Sequence, residues 1–295
     1  MSVEITTTFV KQYNAGIRML QQQIPSRLRD AVMFEGAVEG DRAFFDQVDA
    51  TAMSLVTNRH GDTEYTDTPH RRRMVTLATY DVADLIDRAD ARRFLNNPVN
   101  AYSRSMAAAS NRQIDDVILA AFDATAATGV DGSGTAAFPD GDFLQDFGGI
   151  SNLTVESLRV ARQQLESQEN EEDDADHSWH IVMGSSQREA LLSESVVQSL
   201  DTNAVRALVN GQINTYLGFN FIKSQRGNLA TGDERSVFAW VKASMQLAVS
   251  QEGRSFIDEL AVKRHSLQVR YELDAGATRM DEKGVVKIIA DETTA

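Results

Sequence analysis

Carboxylates and imidazoles have the first claim to chemistry in this chain. The run Glu169-Asn170-Glu171-Glu172-Asp173-Asp174-Ala175-Asp176 leads into His177 and His180. Oxygen and imidazole ligands this close in sequence could hold a divalent metal. The competing account is a solvated surface loop, and the spacing favours it, because the run has neither EF-hand order nor an H-E-x-x-H pair. A second candidate is Gly184-Ser185-Ser186-Gln187, which follows the apolar stretch Trp179 to Met183. A nucleophile elbow of the form G-x-S-x-G would need glycine where Gln187 or Arg188 stands. The segment GVDGSG from Gly129 to Gly134 lacks the GK[ST] ending of a phosphate loop and a strand before it. Arg71, Arg72 and Arg73, with Arg59 nearby, could meet phosphates. In a chain of net charge −14 they read more simply as a solvated or ion-paired segment. There is no cysteine, which removes disulfides, thiolate zinc sites and thiol nucleophiles. None of these patterns amounts to a catalytic, cofactor or metal site, and no enzyme activity is expected.

The elements that would carry such residues have the proportions of a globular protein. The chain has 295 residues, 42% hydrophobic and 24% charged, enough for one large or two ordinary domains with a sizeable core. No apolar run reaches the roughly 18 residues needed to span a bilayer. The N-terminal MSVEITTTFVKQY has no basic start followed by an apolar block, so no signal peptide is expected. The acidic balance argues against holding duplex DNA by broad phosphate neutralisation.

The longest single element is expected between Asn97 and Ala127. Asn97 can cap a helix and Pro98 suits its first position. Tyr102, Met106, Ser110, Ile114, Val117, Ile118 and Ala121 follow at helical spacing. At 1.5 Å per residue the helix would run about 40 Å, longer than a small domain is wide. Before it, Phe9, Tyr13, Ile17, Leu20 and Ile24 make one apolar stripe on a helix that Pro25 ends. That helix could dock on its own core or lie as an arm on a neighbouring subunit. Residues 26–50 lack periodicity and read as extended or irregular. Residues Ala50 to Tyr80 are rich in Thr, Val and Tyr around an Arg59-His60-Gly61-Asp62 turn, which predicts a long hairpin with a polar tip. Two strands alone are marginal in water, so the hairpin must lie on its own domain or on another subunit. Asp81 caps a predicted short helix with Val82, Leu85, Ile86 and Ala89 on one face.

Beyond a Gly- and Asp-rich loop the texture changes. A helix is expected over Leu153 to Gln168, a buried strand over Trp179 to Met183, and a helix capped by Ser185 or Ser186. A strand follows at Phe219 to Lys223, and SVFAWVKASMQLAVSQE supplies two more. Leu267, Val269, Tyr271 and Leu273 alternate with polar residues as in a half-buried strand. DAGATRMDEKG is expected to link it to a last strand, VVKIIA.

The order of these parts resembles the major capsid protein of tailed bacteriophages, the Hong Kong 97-like fold also used by encapsulin nanocompartments. The residues carrying the likeness are NPVNAYSRSMAAASNRQIDDVILAA, DTNAVRALVNGQINTYLGFNFIKS and YELDAGATRMDEKGVVKII. The resemblance implies an α+β fold in four regions. These are an N-terminal arm (1–46), an extended E-loop hairpin (47–80), a peripheral domain (81–150 and 252–295) with a spine helix (98–127), and an axial domain (151–251). It implies a structural protein that assembles into pentamers and hexamers of an icosahedral shell around phage double-stranded DNA, without sequence-specific binding. The expected place is the virion capsid, assembled in the host cytoplasm.

Contacts between subunits are then expected at Arg59, Arg71, Arg72 and Arg73 of the hairpin and at Phe9 and Tyr13 of the arm. Some shells of this fold are welded by a hairpin lysine. Here no lysine lies between Gln12 and Ile222, so non-covalent contacts are expected. The absence of a long charged extension before the arm suggests a separate scaffolding protein. A portal and a decoration protein are further partners of such a shell, and no membrane is implied. Two other readings stay open: an encapsulin-like shell around protein cargo, and a metal-dependent hydrolase built on His177, His180 and the acidic run.

Overall fold

The structure, a computed structural model, describes residues 22–56, 61–63, 65–87, 99–139, 141, 143–146, 152–168, 175–194, 215–226 and 234–292. In chain order its strands begin with β1 (Met33–Gly36), β2 (Arg42–Val48), β3 (His70–Thr76) and β4 (Ala78–Ile86). The long helix α1 (Val99–Asp123) follows, then β5 (Ala126–Thr128), β6 (Gly134–Ala136) and β7 (Leu144–Asp146). Next come α2 (Val155–Ser167), β8 (Trp179–Met183), α3 (Ser185–Ser193), β9 (Thr215–Tyr216) and β10 (Phe219–Lys223). The chain closes with β11 (Glu234–Val241), β12 (Met245–Leu260), β13 (Ser266–Arg279) and β14 (Val285–Asp291). Three sheets result, in the orders β1-β12-β13-β4, β7-β14-β11-β8-β10-β9 and β2-β3-β5-β6. No helix among the described residues is long and apolar enough to cross a membrane.

The six-stranded sheet is buried on both faces, which is why its strands read as continuous apolar runs. Alternate residues of β11 go to opposite cores. Val237, Ala239 and Val241 pack with Leu158 and Leu165 of α2, with Trp179 and with Ile288. Phe238 and Trp240 pack on the other side with Ile118 and Phe122 of α1. Thr154 caps α2 by accepting from the Ser157 N–H at 3.2 Å, and the Ser157 side chain closes the reciprocal bond. At α3 the cap is Gly184, one residue before the expected serines; Gln187 Oε1 accepts from its N–H at 3.2 Å.

Helix α1 is shared by both large sheets. Its C-terminal half lies against the six-stranded sheet and against Leu247, Val249, Leu273 and Ala275 of the long sheet. Its Met106, with Tyr102 half-buried beside it, packs against Ile86, Val269, Leu267 and Tyr271. The expected alternation of Leu267, Val269, Tyr271 and Leu273 is thus the face of β13 turned to α1. The helix stops at Asp123, not at residue 127. The buried Arg279 guanidinium donates to the carbonyls of Phe122 (2.6 Å) and Ala124 (3.1 Å), and the chain then enters β5, paired with β3. Burial lowers the Arg279 pKa from its ordinary value.

Near its middle, α1 also anchors the chain's early part. Buried Asp115 accepts from Ser26 Oγ at 2.6 Å and from the N–H groups of Arg27 and Leu28 at 3.1 Å. Leu28, Ala31 and Val32 then enter the same core as Phe122, and Trp240 Nε1 donates to the Ala31 carbonyl at 2.8 Å.

Residues 26–50, expected to be extended or irregular, hold two strands: β1 pairs in parallel with β12 and β2 in antiparallel with β3. Three expectations are corrected. The hairpin is paired at its root and not along its length. Seven residues on each side are in register from Arg42↔Thr76 to Val48↔His70. The Asp49 N–H then bonds the Pro69 carbonyl at 3.0 Å, and residues 51–56, 61–63 and 65–69 form no strand. Residues 81–86 are strand, not helix, because β4 pairs with β13 from Ala78↔Ala275 to Leu267↔Ile86. Pairing places Ile86 on the α1 face and Leu85 on the opposite one, so the supposed helical stripe is split. Residues 88–95 of that supposed helix lie outside the described residues. Finally, Ala275-Gly276-Ala277 continues β13 and does not link it to β14. Gly276 is required by close approach: a Cβ there would meet the Thr76 carbonyl oxygen at 2.4 Å.

Candidate assembly surface

The candidate residues divide into those held within the chain and those left uncovered by it. Phe9, Tyr13 and Arg59 lie outside the described residues. The three consecutive arginines are in β3, so they alternate across it. Arg71 pairs with Asp49 at 2.6 Å. Arg72 holds Asp46 with two bonds, Nε to Oδ1 at 2.5 Å and Nη2 to Oδ2 at 3.2 Å. That hydrogen bonding holds the Asp46 carboxyl below its ordinary pKa and raises that of Arg72. Arg73 is buried, donates from Nε to the Met280 carbonyl at 3.0 Å and pairs with Glu282. The arginines thus fasten the hairpin root, across the strand to Asp46 and Asp49 and down to the turn before β14. A cleft of about 600 Å³ lies among them, lined also by His70, Thr128 and Glu282.

Beyond that root the physics reverses. Met53, Leu55, Val56 and Tyr65 are almost completely exposed, and all of residues 51–56 are open to solvent. Among the described residues none forms a backbone pair with residues 51–56. Single exposed apolar residues are ordinary; several on one partnerless segment mark a contact surface. The signal is present in the sequence as AMSLV inside an otherwise polar stretch, but the polarity of the neighbouring tip outweighs it.

The residues weighed for chemistry are engaged in structure. His180 Nε2 lies 3.0 Å from Ser178 Oγ, and its ring stacks on Trp240 with centroids 5.8 Å apart. Among the described residues its buried Nδ1 has no hydrogen-bond partner, and burial, with Lys242 adding to it, lowers its pKa from 6.5 to about 4. Asp176 lies 3.9 Å from Lys242 Nζ. Residues 169–174 of the acidic run lie outside the described residues; among those described, no group of three or more His, Asp or Glu could hold a metal. Ser186 Oγ accepts from Asn152 Nδ2 at 2.9 Å, and Ser185 Oγ accepts from Gln225. The GVDGSG segment, expected to have no strand before it, directly follows β5 and forms the turn to β6, with Gly129 and Gly132 at φ values of 90° and 71°; no helix follows it and the GK[ST] ending is still missing.

Among the described residues, the side chains weighed for chemistry thus serve packing and hydrogen bonding. The family model described as phage capsid protein matches residues 5–292. The chain belongs to the phage capsid protein family. Similar solved structures share the fold at low identity. The capsid of Ralstonia phage GP4 has a TM-score of 0.73 at 12% identity, covering 96% of this chain and 95% of that one. The capsid of cyanophage Pam1 has a TM-score of 0.71 at 15% identity, covering 97% of each. The acid-stable capsid of Helicobacter pylori bacteriophage KHP30 has a TM-score of 0.69 at 12% identity, covering 99% and 98%. No curated protein sequence matches significantly. This phage capsid protein therefore has the α+β tailed-phage capsid fold. Its role is structural, its partner is further copies of itself in a shell, and its place is the virion capsid.

Proposed function

We propose that this chain is the major subunit of an icosahedral phage head, assembling as pentamers and hexamers around double-stranded DNA. The observation that carries this reading is the loop between β2 and β3. Its root is fixed to its own chain by Arg71, Arg72 and Arg73, while Met53, Leu55, Val56 and Tyr65 are left almost bare. In a capsid protein such a segment is supported by the next subunit. Arg59 and the Phe9–Tyr13 stripe would add to the same contact, and Arg71 and Arg72, which are partly exposed, could share their carboxylates with a neighbour's.

The proposed regions are an arm (1–46) anchored through Asp115, a hairpin loop (47–80), a peripheral domain (81–150 and 252–295) and an axial domain (151–251). A net charge of −14 keeps packaged DNA from adhering to the wall. Without a lysine in the hairpin, the shell is held non-covalently, with scaffolding, portal and decoration proteins as its partners during and after assembly in the host cytoplasm. Electron microscopy of purified particles, with extraction of their nucleic acid, tests the proposal. Closed shells containing phage DNA are expected, with this chain running on a denaturing gel only at its monomer mass of 32.5 kDa. Shells filled with protein cargo would instead support a nanocompartment, and a ladder of linked species would overturn the non-covalent shell.

A further inference from the structure

Strands β8 and β10 of the six-stranded sheet run parallel, in register from Trp179↔Phe219 to Met183↔Lys223, and α3 follows β8 directly. Their carboxyl ends are tied together, the Ser224 N–H donating to the Met183 carbonyl at 2.9 Å. In open sheets with parallel strands, the crevice beyond such ends is where ligands bind. Here that crevice is a cleft of about 380 Å³, within the size range of small-ligand sites.

Its charge sets it apart. Arg27, Arg188 and Lys223 line it, and Glu189 is the one carboxylate among the described lining residues. Elsewhere this acidic chain commits its arginines to acids: Arg29, Arg71, Arg72, Arg73, Arg226 and Arg235 each pair with a carboxylate. Among the described residues neither Arg27 nor Lys223 does so, and Arg27 donates instead to the Lys223 carbonyl. The cleft at the hairpin root is the contrast, since its arginines already hold Asp46, Asp49 and Glu282. Two hydroxyls add to the excess of donors. Ser224 Oγ accepts from the Arg226 N–H at 3.2 Å, and Ser185 Oγ accepts from Gln225. A hydroxyl bonded as an acceptor keeps its proton to donate. A carboxylate has two oxygens to share among such donors, whereas a terminal phosphate has three and carries more charge.

We propose that this cleft binds the terminal phosphate of a small molecule, with Arg27 and Lys223 as its charged partners and Ser185 and Ser224 as hydroxyl donors. A net charge of −14 disfavours phosphates over the rest of the surface, so binding is confined to this one place. The site is complete within a single chain and does not depend on the shell reading above.

Titration calorimetry of the free subunit at low salt tests this, with pyrophosphate as the probe. One saturable site is expected. Lys223→Gln and Arg27→Gln should each weaken it roughly tenfold or more, as loss of a charged hydrogen-bond partner does. The Lys223 side chain is exposed, so that variant should keep the thermal midpoint of the unsubstituted chain. Arg159→Gln, which removes an exposed arginine of α2, should leave the affinity unchanged. No saturable uptake, or uptake that all three variants share equally, would overturn the proposal. Two competitors test the ligand class. A DNA duplex with 5′-hydroxyl ends should not displace pyrophosphate; displacement would give the cleft to a nucleic-acid backbone and overturn the terminal phosphate. A peptide of the sequence ENEEDDAD that binds there more tightly than pyrophosphate would overturn it in favour of carboxylates. None of these measurements uses particles, so their failure leaves the shell reading intact, and failure of the chain to form shells leaves the cleft untouched.

Discussion

The two halves of β12 show how differently this chain treats its own backbone. From Met245 to Val249 every residue is buried, with Leu247 and Val249 in the core that α1 shares with Trp240. From Glu252 to Glu259 the same strand is mostly open to water. The first half belongs to the part of the molecule that folds by burying apolar surface within one chain. The second half, like the loop after β2, has an outer backbone edge that no strand among the described residues pairs with, and mostly exposed side chains. Stability and assembly are therefore carried by different residues, and substitutions should separate them.

The largest effect is expected in the buried half. Trp240 is fully buried, packs on Phe122 with centroids 4.7 Å apart and donates to the Ala31 carbonyl. Trp240→Ala should cost about 3–5 kcal/mol from lost packing and a cavity. It also leaves the Ala31 carbonyl without its donor. Denaturant midpoints of the free subunit should show this loss, whereas Ile257→Ala, on the open half of β12, should shift them far less. Comparable shifts would mean that the open half is also part of the folded core.

The same contrast governs what the sequence reveals. Helix α1, β8, β11 and β13 are legible because each buries a periodic or continuous apolar face, and that face is written locally. Strand β4 reads as a helix because its partner β13 is distant in the chain, and Val82, Leu85 and Ile86 fall at helical spacing although the strand sends Leu85 and Ile86 to opposite faces. Small residues mislead in a similar way: Ala275-Gly276-Ala277 looks like a loop but marks a strand that Thr76 approaches closely. At the candidate surface, Arg71 to Arg73 can be read as ion-paired. Their carboxylates, Asp46, Asp49 and Glu282, become evident only once β2, β3 and the turn before β14 are brought together.

A smaller effect should appear with pH, at the boundary between the two cores. His180 is neutral in the fold, with its pKa lowered to about 4 by burial and by Lys242. Its unfolded value is near 6.5, so the unfolded chain takes up the proton first as pH falls. The contribution is fully present above pH 6.5, is lost progressively toward pH 4 and stays lost below that. The loss is at most about 3 kcal/mol, and less because the ring is not sealed from water. His180→Gln should flatten this limb of the stability profile relative to the unsubstituted protein, read by denaturation between about pH 7 and pH 4. Trp240 fluorescence reports the same region, since the ring stacks on it. Parallel profiles for the two proteins would show that His180 does not titrate with unfolding.

The smallest effect on the free subunit is expected at the loop, and it is the most telling. Met53 and Leu55 contact almost nothing in their own chain, so Met53→Asp with Leu55→Asp should change its stability by no more than about 0.5 kcal/mol. The same pair of carboxylates, buried against another copy, would be unpaired charges in an apolar contact, which is strongly disfavoured. Particle yield by sedimentation should therefore collapse while the thermal midpoint of the free subunit holds. A fall in that midpoint would mean that the loop packs on its own core, and the division between folding and assembly residues would fail. An unchanged yield would place the contacts that close the shell elsewhere, beginning with the arginines at the loop's root.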